Sequence, residues 1–85
     1  MNLSGKASDV VTTTLDQFEL GQEGEIVHLD DNEYTAKLID MGLFPGKRVK
    51  MLMKAPLGDP VGVDVEGYTL SLRLKEASSV FLKSV

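Results

Sequence analysis

The sequence contains no cysteine among its 85 residues. This absence excludes a disulfide framework, a thiolate zinc site, an iron–sulfur cluster and a cysteine nucleophile. The length allows one domain, and a domain of this size without cross-links must be stabilised by the packing of its own core. The absence also agrees with a reducing, cytoplasmic location, which is our expectation for this chain.

The sequence also lacks a long apolar run. No stretch approaches the ~20 apolar residues that are needed to span a bilayer. The segment Met1–Thr14 has no apolar stretch of the kind found in a signal peptide. We therefore expect a protein that is neither embedded in a membrane nor exported by that route.

Basic residues are scarce relative to acidic ones. Nine lysines and arginines face thirteen aspartates and glutamates, which gives a formal net charge of -4. Nucleic-acid binding depends on the neutralisation of phosphates, so this balance predicts no nucleic-acid partner. Four basic residues do cluster, at Lys47, Arg48, Lys50 and Lys54. We interpret them as a solvated strand face rather than a phosphate or membrane contact.

Patterns for catalysis are missing as well. The chain has one histidine, His28, and none of its serines lies in a G-x-S-x-G turn. It has no P-loop, no dinucleotide fingerprint and no pair of metal-binding histidines on a helix. We therefore predict that the protein is not an enzyme and that it has no resident cofactor.

What the sequence does contain is a series of short elements. Residues 1–13 are small and polar and predict a flexible lead-in, followed by one folded domain over residues 14–85. Residues 33–41 carry apolar side chains at helical spacing and predict one short amphipathic helix. Gly42 follows at the position that favours a left-handed C-cap.

Later in the chain the apolar spacing changes to two residues. Val49, Met51 and Met53 alternate with other residues and predict a strand with one core-facing side. Glu66 and Gly67 separate two further alternating runs. This spacing predicts a β-hairpin, with either a type I′ turn or a type I turn and a glycine bulge.

Together these elements predict a mainly β fold of about five short strands. We expect a small SH3-like β-barrel with one short inserted α-helix, because closing the sheet removes most of the exposed strand edges. A homo-oligomer that uses the remaining strand edges and loop leucines stays open as an alternative.

His28 and Asp30 are the best candidates for metal ligands. They lie two positions apart on a predicted strand and therefore on one face. Glu33 or Asp31 could join them, and such nitrogen and oxygen ligands would hold Fe(II) or Zn(II) weakly. The alternative is that Asp30 and Asp31 cap the following helix and that His28 is a half-exposed strand residue. We favour this alternative because a firm site brings three or four converging ligands.

Three apolar residues lie in loops that are rich in glycine and proline. Leu43 and Phe44 follow the predicted helix, and Leu57 stands between Pro56 and Gly58. Apolar residues in rigid loops can anchor a partner, or they can fold back on the core. We predict that Leu43 packs inward, while both alternatives stay open for Phe44 and Leu57.

Three motifs resemble one known family. They are Asp40-Met41-Gly42-Leu43-Phe44-Pro45-Gly46, Ala55-Pro56-Leu57-Gly58-Asp59-Pro60, and Leu70-Ser71-Leu72-Arg73 followed by Glu76-Ala77. In the order and spacing of these motifs the chain resembles the FeoA family, from residue 14 to residue 83.

The resemblance implies an SH3-like barrel and a protein partner. FeoA proteins resemble regulators or assembly factors of bacterial ferrous iron uptake. The implied partner is FeoB, the membrane transporter that carries a cytoplasmic GTP-binding domain. Phe44 and Leu57, with the neighbouring Gly58 and Asp59, are then expected to belong to the contact surface. The alternatives are a metal-binding iron chaperone or sensor, and a contact module like the C-terminal domain of iron-dependent repressors.

Overall fold

The structure is a computed structural model that describes residues 11–85. Along the chain it contains β1 (Thr12–Thr14), a 3-10 turn (Leu15–Gln17), β2 (Glu23–Leu29), α1 (Thr35–Asp40), β3 (Arg48–Lys54), β4 (Val61–Val65), β5 (Tyr68–Leu72), α2 (Leu74–Ala77) and β6 (Val80–Ser84). The predicted mainly β fold with one short helix inserted after the first long strand is confirmed.

The strands form one antiparallel sheet in the order β1-β6-β2-β3-β4-β5. The sequence predicts about five strands, and the sixth is β1, which lies in a polar segment without an apolar pattern. In the described chain the end strands β1 and β5 do not pair with each other. The sheet formed by residues 11–85 is therefore not closed, in contrast to the closed barrel that the sequence predicts, because β1 has only three residues and pairs within this part of the chain with β6 alone.

The predicted boundary of the lead-in falls inside β1. Thr12 pairs with Lys83 and Thr14 pairs with Phe81, so the sheet begins before residue 14. β-Branched threonines favour the extended backbone of a strand, which compensates for the lack of apolar side chains here. Residues 1–10 of the predicted lead-in lie outside the described residues.

Helix α1 ends where the sequence predicts. Gly42 has a φ of +93°, and the amide N–H of Leu43 donates to the carbonyl oxygen of Leu38 at 2.9 Å. This Schellman C-cap directs Leu43 into the core, where it is fully buried as predicted. Within residues 11–85, no helix has the length and apolar character needed to cross a membrane.

Strand β3 carries a bulge that changes which methionines are buried. Met51 pairs with Val63 but Met53 pairs with Gly62, so the register shifts between them. Because of the extra residue, the alternation of side chains breaks after Met51. Met51 is fully buried as predicted, whereas Met53 is 55% exposed, and the prediction that Met53 faces the core is wrong.

One hydrophobic core joins the sheet to both helices. Its largest fully buried side chains are Phe18, Leu15, Ile26, Leu38, Leu43, Met51, Leu72, Leu82, Val49, Val61, Val63 and Val80. Each such side chain contributes about 1.5–3 kcal/mol relative to an exposed one. The alternating valines of β4 place one whole face of that strand in this core.

Strands β4 and β5 form the predicted hairpin. Val65 pairs with Tyr68 across a two-residue loop. In this loop Glu66 has a φ of 50° and Gly67 has a φ of 103°. Two positive φ angles define a type I′ turn, which selects the first of the two predicted alternatives and fixes the register of β5.

Candidate partner-binding surface

An open cleft lies between the loop that follows α1 and the β4–β5 hairpin. Its volume is about 360 Å³. The residues that line this hairpin cleft are Asp40, Met41, Gly42, Phe44, Lys47, Val65, Glu66, Tyr68, Thr69 and Leu70. The lining is predominantly apolar, which is typical of a site for a ligand or a protein partner.

Two aromatic side chains of the hairpin cleft remain exposed to solvent. Tyr68 is 75% exposed and Phe44 is 38% exposed. Tyr68 is exposed because β5 is the last strand of the sheet, whereas Val65, its partner across the hairpin, is buried. Exposed aromatic rings on a fixed backbone are suitable anchors for a protein interface.

Lys47 links the two walls of the hairpin cleft. Its Nζ lies 5.2 Å from the centroid of the Phe44 ring and 3.3 Å from Oε1 of Glu66. Oε2 of Glu66 accepts a hydrogen bond from the amide N–H of Arg48 at 3.1 Å. This amide, and then Lys47, holds the pKa of Glu66 below its ordinary value. The carboxylate therefore stays ionised and ties the hairpin to the start of β3.

The loop between β3 and β4 exposes Leu57. This side chain is 95% exposed, and the following residue, Gly58, has a φ of +86° that favours glycine. Oδ1 of Asp59 accepts a hydrogen bond from the amide N–H of Leu74 at 3.1 Å. Asp59 thus satisfies a free amide in the first turn of α2 and anchors the loop, which is a structural role.

Phe44 and Leu57 lie at opposite ends of β4. Phe44 contacts Lys47, which pairs with Glu66 just beyond the last residue of the strand. Leu57 lies in the loop before Val61, the first residue of the strand. A strand of this length spans about 17 Å. The predicted contact residues therefore form two separate sites, and only Phe44 lines the hairpin cleft.

Sequence reasoning did not identify Tyr68 and Leu70 as surface residues. Their alternation with polar residues predicts only a strand, in which they share one side with Leu72. Leu72 is buried, Leu70 is half-buried and Tyr68 is exposed. All three residues lie on the end strand, and burial increases from the hairpin towards α2. Which end of β5 reaches the core is not encoded in the local pattern.

The predicted metal ligands come together only in part. Nε2 of His28 lies 3.7 Å from Oδ1 of Asp30, with the His28 side chain exposed and that of Asp30 half-exposed. The His28 ring also packs against Phe81, with 5.5 Å between the ring centroids. Glu33 does not complete a site with them. Among residues 11–85, no three His, Cys, Asp or Glu side chains are placed to hold a metal ion.

Asn32, rather than the acidic residues beside it, holds the start of α1. Oδ1 of Asn32 accepts a hydrogen bond from the N–H of Tyr34 at 2.8 Å. The hydroxyl of Thr35 donates to the main-chain oxygen of Asp30 at 2.7 Å. The alternative that the side chains of Asp30 and Asp31 cap the helix is therefore wrong, since the side chain that accepts a hydrogen bond from an amide at the start of α1 is that of Asn32.

Glu76 is a buried carboxylate outside the hairpin cleft. It is 5% exposed. Oε2 accepts a hydrogen bond from Nζ of Lys37 at 2.5 Å, and Oε1 accepts one from the amide N–H of Arg73 at 2.9 Å. The lysine lowers the pKa of Glu76 below its ordinary value, against the opposing effect of burial. The bond from Lys37 joins α1 to α2, and the bond from Arg73 caps the start of α2, so we assign Glu76 a structural role.

Comparison with known proteins identifies the family of this chain. A family model of the FeoA domain matches residues 13–84. The FeoA-like protein from Clostridium acetobutylicum, solved by NMR, has a TM-score of 0.81 and 28% sequence identity, over 87% of this chain and 87% of that chain. The match spans almost the whole of the described domain.

Two further solved structures are similar. FeoA of Stenotrophomonas maltophilia in complex with zinc has a TM-score of 0.73 and 25% identity, over 84% of this chain and 89% of that chain. It is described as an SH3 domain protein and a candidate activating factor for bacterial ferrous iron transport. A manganese-dependent transcriptional repressor has a TM-score of 0.82 over 89% of this chain and 43% of that chain. At 15% identity this last likeness shows the fold alone.

These matches confirm the SH3-like fold that the sequence predicts. The family model covers both loops that carry the predicted contact residues and both strands of the hairpin. The chain therefore belongs to the FeoA family.

Proposed function

We propose that this protein is a cytoplasmic accessory protein of ferrous iron uptake that regulates a FeoB-type transporter by contact with its cytoplasmic GTP-binding domain. It acts without catalysis and without nucleic acid. Family membership supports the link to iron transport, since the Stenotrophomonas maltophilia relative is described as a candidate activating factor. The observation that carries the proposal is the hairpin cleft.

The hairpin cleft is suited to a protein contact rather than to a reaction. Tyr68 and Phe44 offer aromatic surface that the core does not use. Complete burial of such a side chain contributes about 1.5–3 kcal/mol. The charged residues Lys47 and Glu66 are already paired with each other. We therefore expect them to contribute to the specificity of the contact more than to its affinity.

Leu57 supplies a second apolar contact in this proposal. Asp59 anchors its loop through the amide of Leu74, so that Leu57 is presented outward on a fixed backbone. A partner that uses both Phe44 and Leu57 must cover a surface about 17 Å long. A standard interface of about 800 Å² per partner is large enough to do so.

Calorimetric titration of the chain with the isolated GTP-binding domain of its transporter tests the proposal. We expect saturable binding that differs between the GDP-bound domain and the domain with a GTP analogue. Phe44→Ala and Leu57→Ala should keep the fold and weaken binding, by about tenfold if each removes about 1.4 kcal/mol.

Leu20→Ala is the matched control for Leu57→Ala, because Leu20 is also exposed, at 64%, but lies outside both loops. It should bind like the parent chain. Parent-like binding by Phe44→Ala and Leu57→Ala would place the contact elsewhere on the molecule. Absence of binding in both nucleotide states would contradict the choice of partner domain.

The second candidate function is weak binding of Fe(II) as a chaperone or sensor. The exposed pair of His28 and Asp30 favours it, and a relative has been solved as a zinc complex. Anaerobic titration with Fe(II) should then show binding that is weakened in His28→Ala. Equal affinity of the parent chain and the variant would remove this candidate.

A further inference from the structure

Strand β5 has an open backbone edge. Among residues 11–85 it pairs only with β4, and Tyr68 is the residue that faces Val65 directly across the two-residue loop. These two residues form a hydrogen-bonded pair, and such pairs alternate along an antiparallel ladder. Thr69 and Ser71 therefore direct their N–H and C=O groups away from β4. Both residues are exposed.

This edge carries none of the features that usually prevent strand pairing. Tyr68–Leu72 contains no charged residue and no proline, whereas natural edge strands are commonly protected by lysine, proline or a bulge. Strand β1, at the other end of the sheet, has three residues and offers a shorter edge. Of the two end strands, β5 is thus the one suited to accept another strand.

We propose that β5 pairs antiparallel with β5 of a second copy of this chain, about a two-fold axis at Leu70. In this register Thr69 faces Ser71 of the partner subunit. Their outward N–H and C=O groups form two hydrogen bonds, and the symmetric pair forms two more. Leu70 meets Leu70 of the partner subunit at the axis, which is the closest approach of side chains in such a ladder.

The same register covers apolar surface that the isolated chain exposes. Tyr68 lies opposite Leu72 of the partner subunit. Leu70 and Tyr68 both line the hairpin cleft, so the added strand lies along the cleft and removes part of its apolar wall from water. This burial and the main-chain hydrogen bonds act together.

The charges at the two ends of β5 are complementary under this symmetry. Arg73 lies opposite Gly67 of the partner subunit, beside Glu66 of the partner subunit. Arg73 is exposed, and it takes part in none of the ion pairs found among residues 11–85. Glu66 keeps its bonds to Lys47 and Arg48 and still has lone pairs for an arginine. The dimer thus contains this contact twice, and this charge pattern favours a second copy over an unrelated strand.

The contact is small, and we expect a weak, concentration-dependent dimer. Interfaces below about 1,200 Å² are characteristic of transient complexes. The proposal is independent of the transporter contact, because self-association of the purified chain is measured without the transporter.

Sedimentation equilibrium of the full chain, from about 10 μM to about 1 mM, tests the dimer. The expected dissociation constant is about 10⁻⁴–10⁻³ M.

Charge reversal at the two ends of β5 tests the register. Arg73→Glu places a carboxylate beside Glu66 of the partner subunit and should weaken association about tenfold. Glu66→Lys should do the same, because it places a lysine beside Arg73 of the partner subunit. An equal mixture of the two variants restores opposite charges at both contacts and should associate like the parent chain. Lys54→Glu makes the same change of charge as Arg73→Glu at an exposed position outside β5, and it should have no effect.

Amide hydrogen exchange at Thr69 and Ser71 provides a second measurement that needs no variant. Protection that rises with protein concentration supports the dimer. Protection that does not depend on concentration would show that the chain itself covers this edge, and would overturn the proposal. A monomer at 1 mM whose Thr69 and Ser71 amides become protected only on addition of the transporter domain would overturn it in favour of that partner.

Discussion

The two ends of the sheet use their apolar side chains in opposite ways. At the end formed by β1, β6 and β2, Phe18 is 1% exposed and its ring lies against Gly24. The turn Leu15–Gln17 packs there against α2 and β6. At the end formed by β4 and β5, Tyr68 is 75% exposed and Leu70 is half-buried. The buried end stabilises the fold, whereas the open end carries apolar side chains that folding does not require.

This difference can be tested because matched substitutions are available at the two ends. Each end has a glycine in a strand, a glutamate with a lowered pKa and a large side chain at a hairpin or turn. If the comparison is correct, changes at the buried end lower the free energy of unfolding. Changes at the open end should act mainly on association.

The largest effect is expected for Gly24→Ala. A β carbon at this position would lie 2.7 Å from Cζ of Phe18 and 2.9 Å from the main-chain oxygen of Lys83. That oxygen belongs to the neighbouring strand β6, so it cannot move without distortion of the sheet. We expect the free energy of unfolding to fall by about 3 kcal/mol, measured by urea denaturation.

Gly62→Ala is the matched change at the open end. Its β carbon would meet only the side chain of Met53, at 2.8 Å from Cγ. Met53 is 55% exposed and flexible, so it can move aside, and the expected loss is below about 1 kcal/mol. Equal losses in the two variants would show that both ends are packed with the same rigidity.

The second-largest decrease in the free energy of unfolding is expected for Glu76→Gln. The buried carboxylate accepts hydrogen bonds from Lys37 and from the amide of Arg73. Loss of its charge weakens both bonds, at a cost of about 1–2 kcal/mol at neutral pH. The pKa of Glu76 is lowered in the folded chain. Its stabilisation is therefore complete above the unfolded pKa and is lost as the pH falls through the folded pKa.

Urea denaturation between pH 7 and pH 3 measures this dependence. The difference between the parent chain and Glu76→Gln should be constant near neutral pH and should shrink under acidic conditions. A difference that does not change with pH would show that the variant acts by repacking and not through the loss of charge.

A smaller effect is expected for Glu66→Gln at the open end. The pKa of Glu66 is also lowered, first by the amide of Arg48 and then by Lys47, so the direction with pH is the same. This carboxylate is exposed to solvent, and salt screens its interaction with Lys47. We expect a loss below that of Glu76→Gln that decreases as sodium chloride is added. A loss that salt does not change would contradict the assignment of Glu66 to an exposed site.

The features that the sequence predicts correctly are the ones that depend on local structure. Gly42 ends α1 and Leu43 packs inward, because a C-cap is determined within a few residues. The turn at Glu66 and Gly67 is likewise specified by two adjacent residues and by the alternation on both sides.

The features that the sequence does not predict depend on distant contacts. Met53 is exposed because of a bulge that exists only when β3 pairs with β4. Tyr68 is exposed because β5 ends the sheet, and that order is set by the pairing of all the strands. The sequence therefore predicts only one of the two walls of the hairpin cleft. Phe44 was identified from its loop, while the hairpin residues that form the opposite wall of the cleft were not.

The smallest effect on stability is expected for Tyr68→Thr. Threonine and tyrosine both favour a strand, and the tyrosine ring is mostly in solvent. The free energy of unfolding should therefore change by less than about 0.5 kcal/mol. The same variant should weaken self-association, because the proposed dimer removes part of the exposed tyrosine ring from water and threonine has no such ring. Tyr68→Phe keeps the ring and serves as the control that should associate like the parent chain. Urea denaturation and sedimentation equilibrium on the same samples separate the two effects. A loss of stability above about 1 kcal/mol in Tyr68→Thr would mean that the open end also supports the fold, and the contrast between the two ends would not hold.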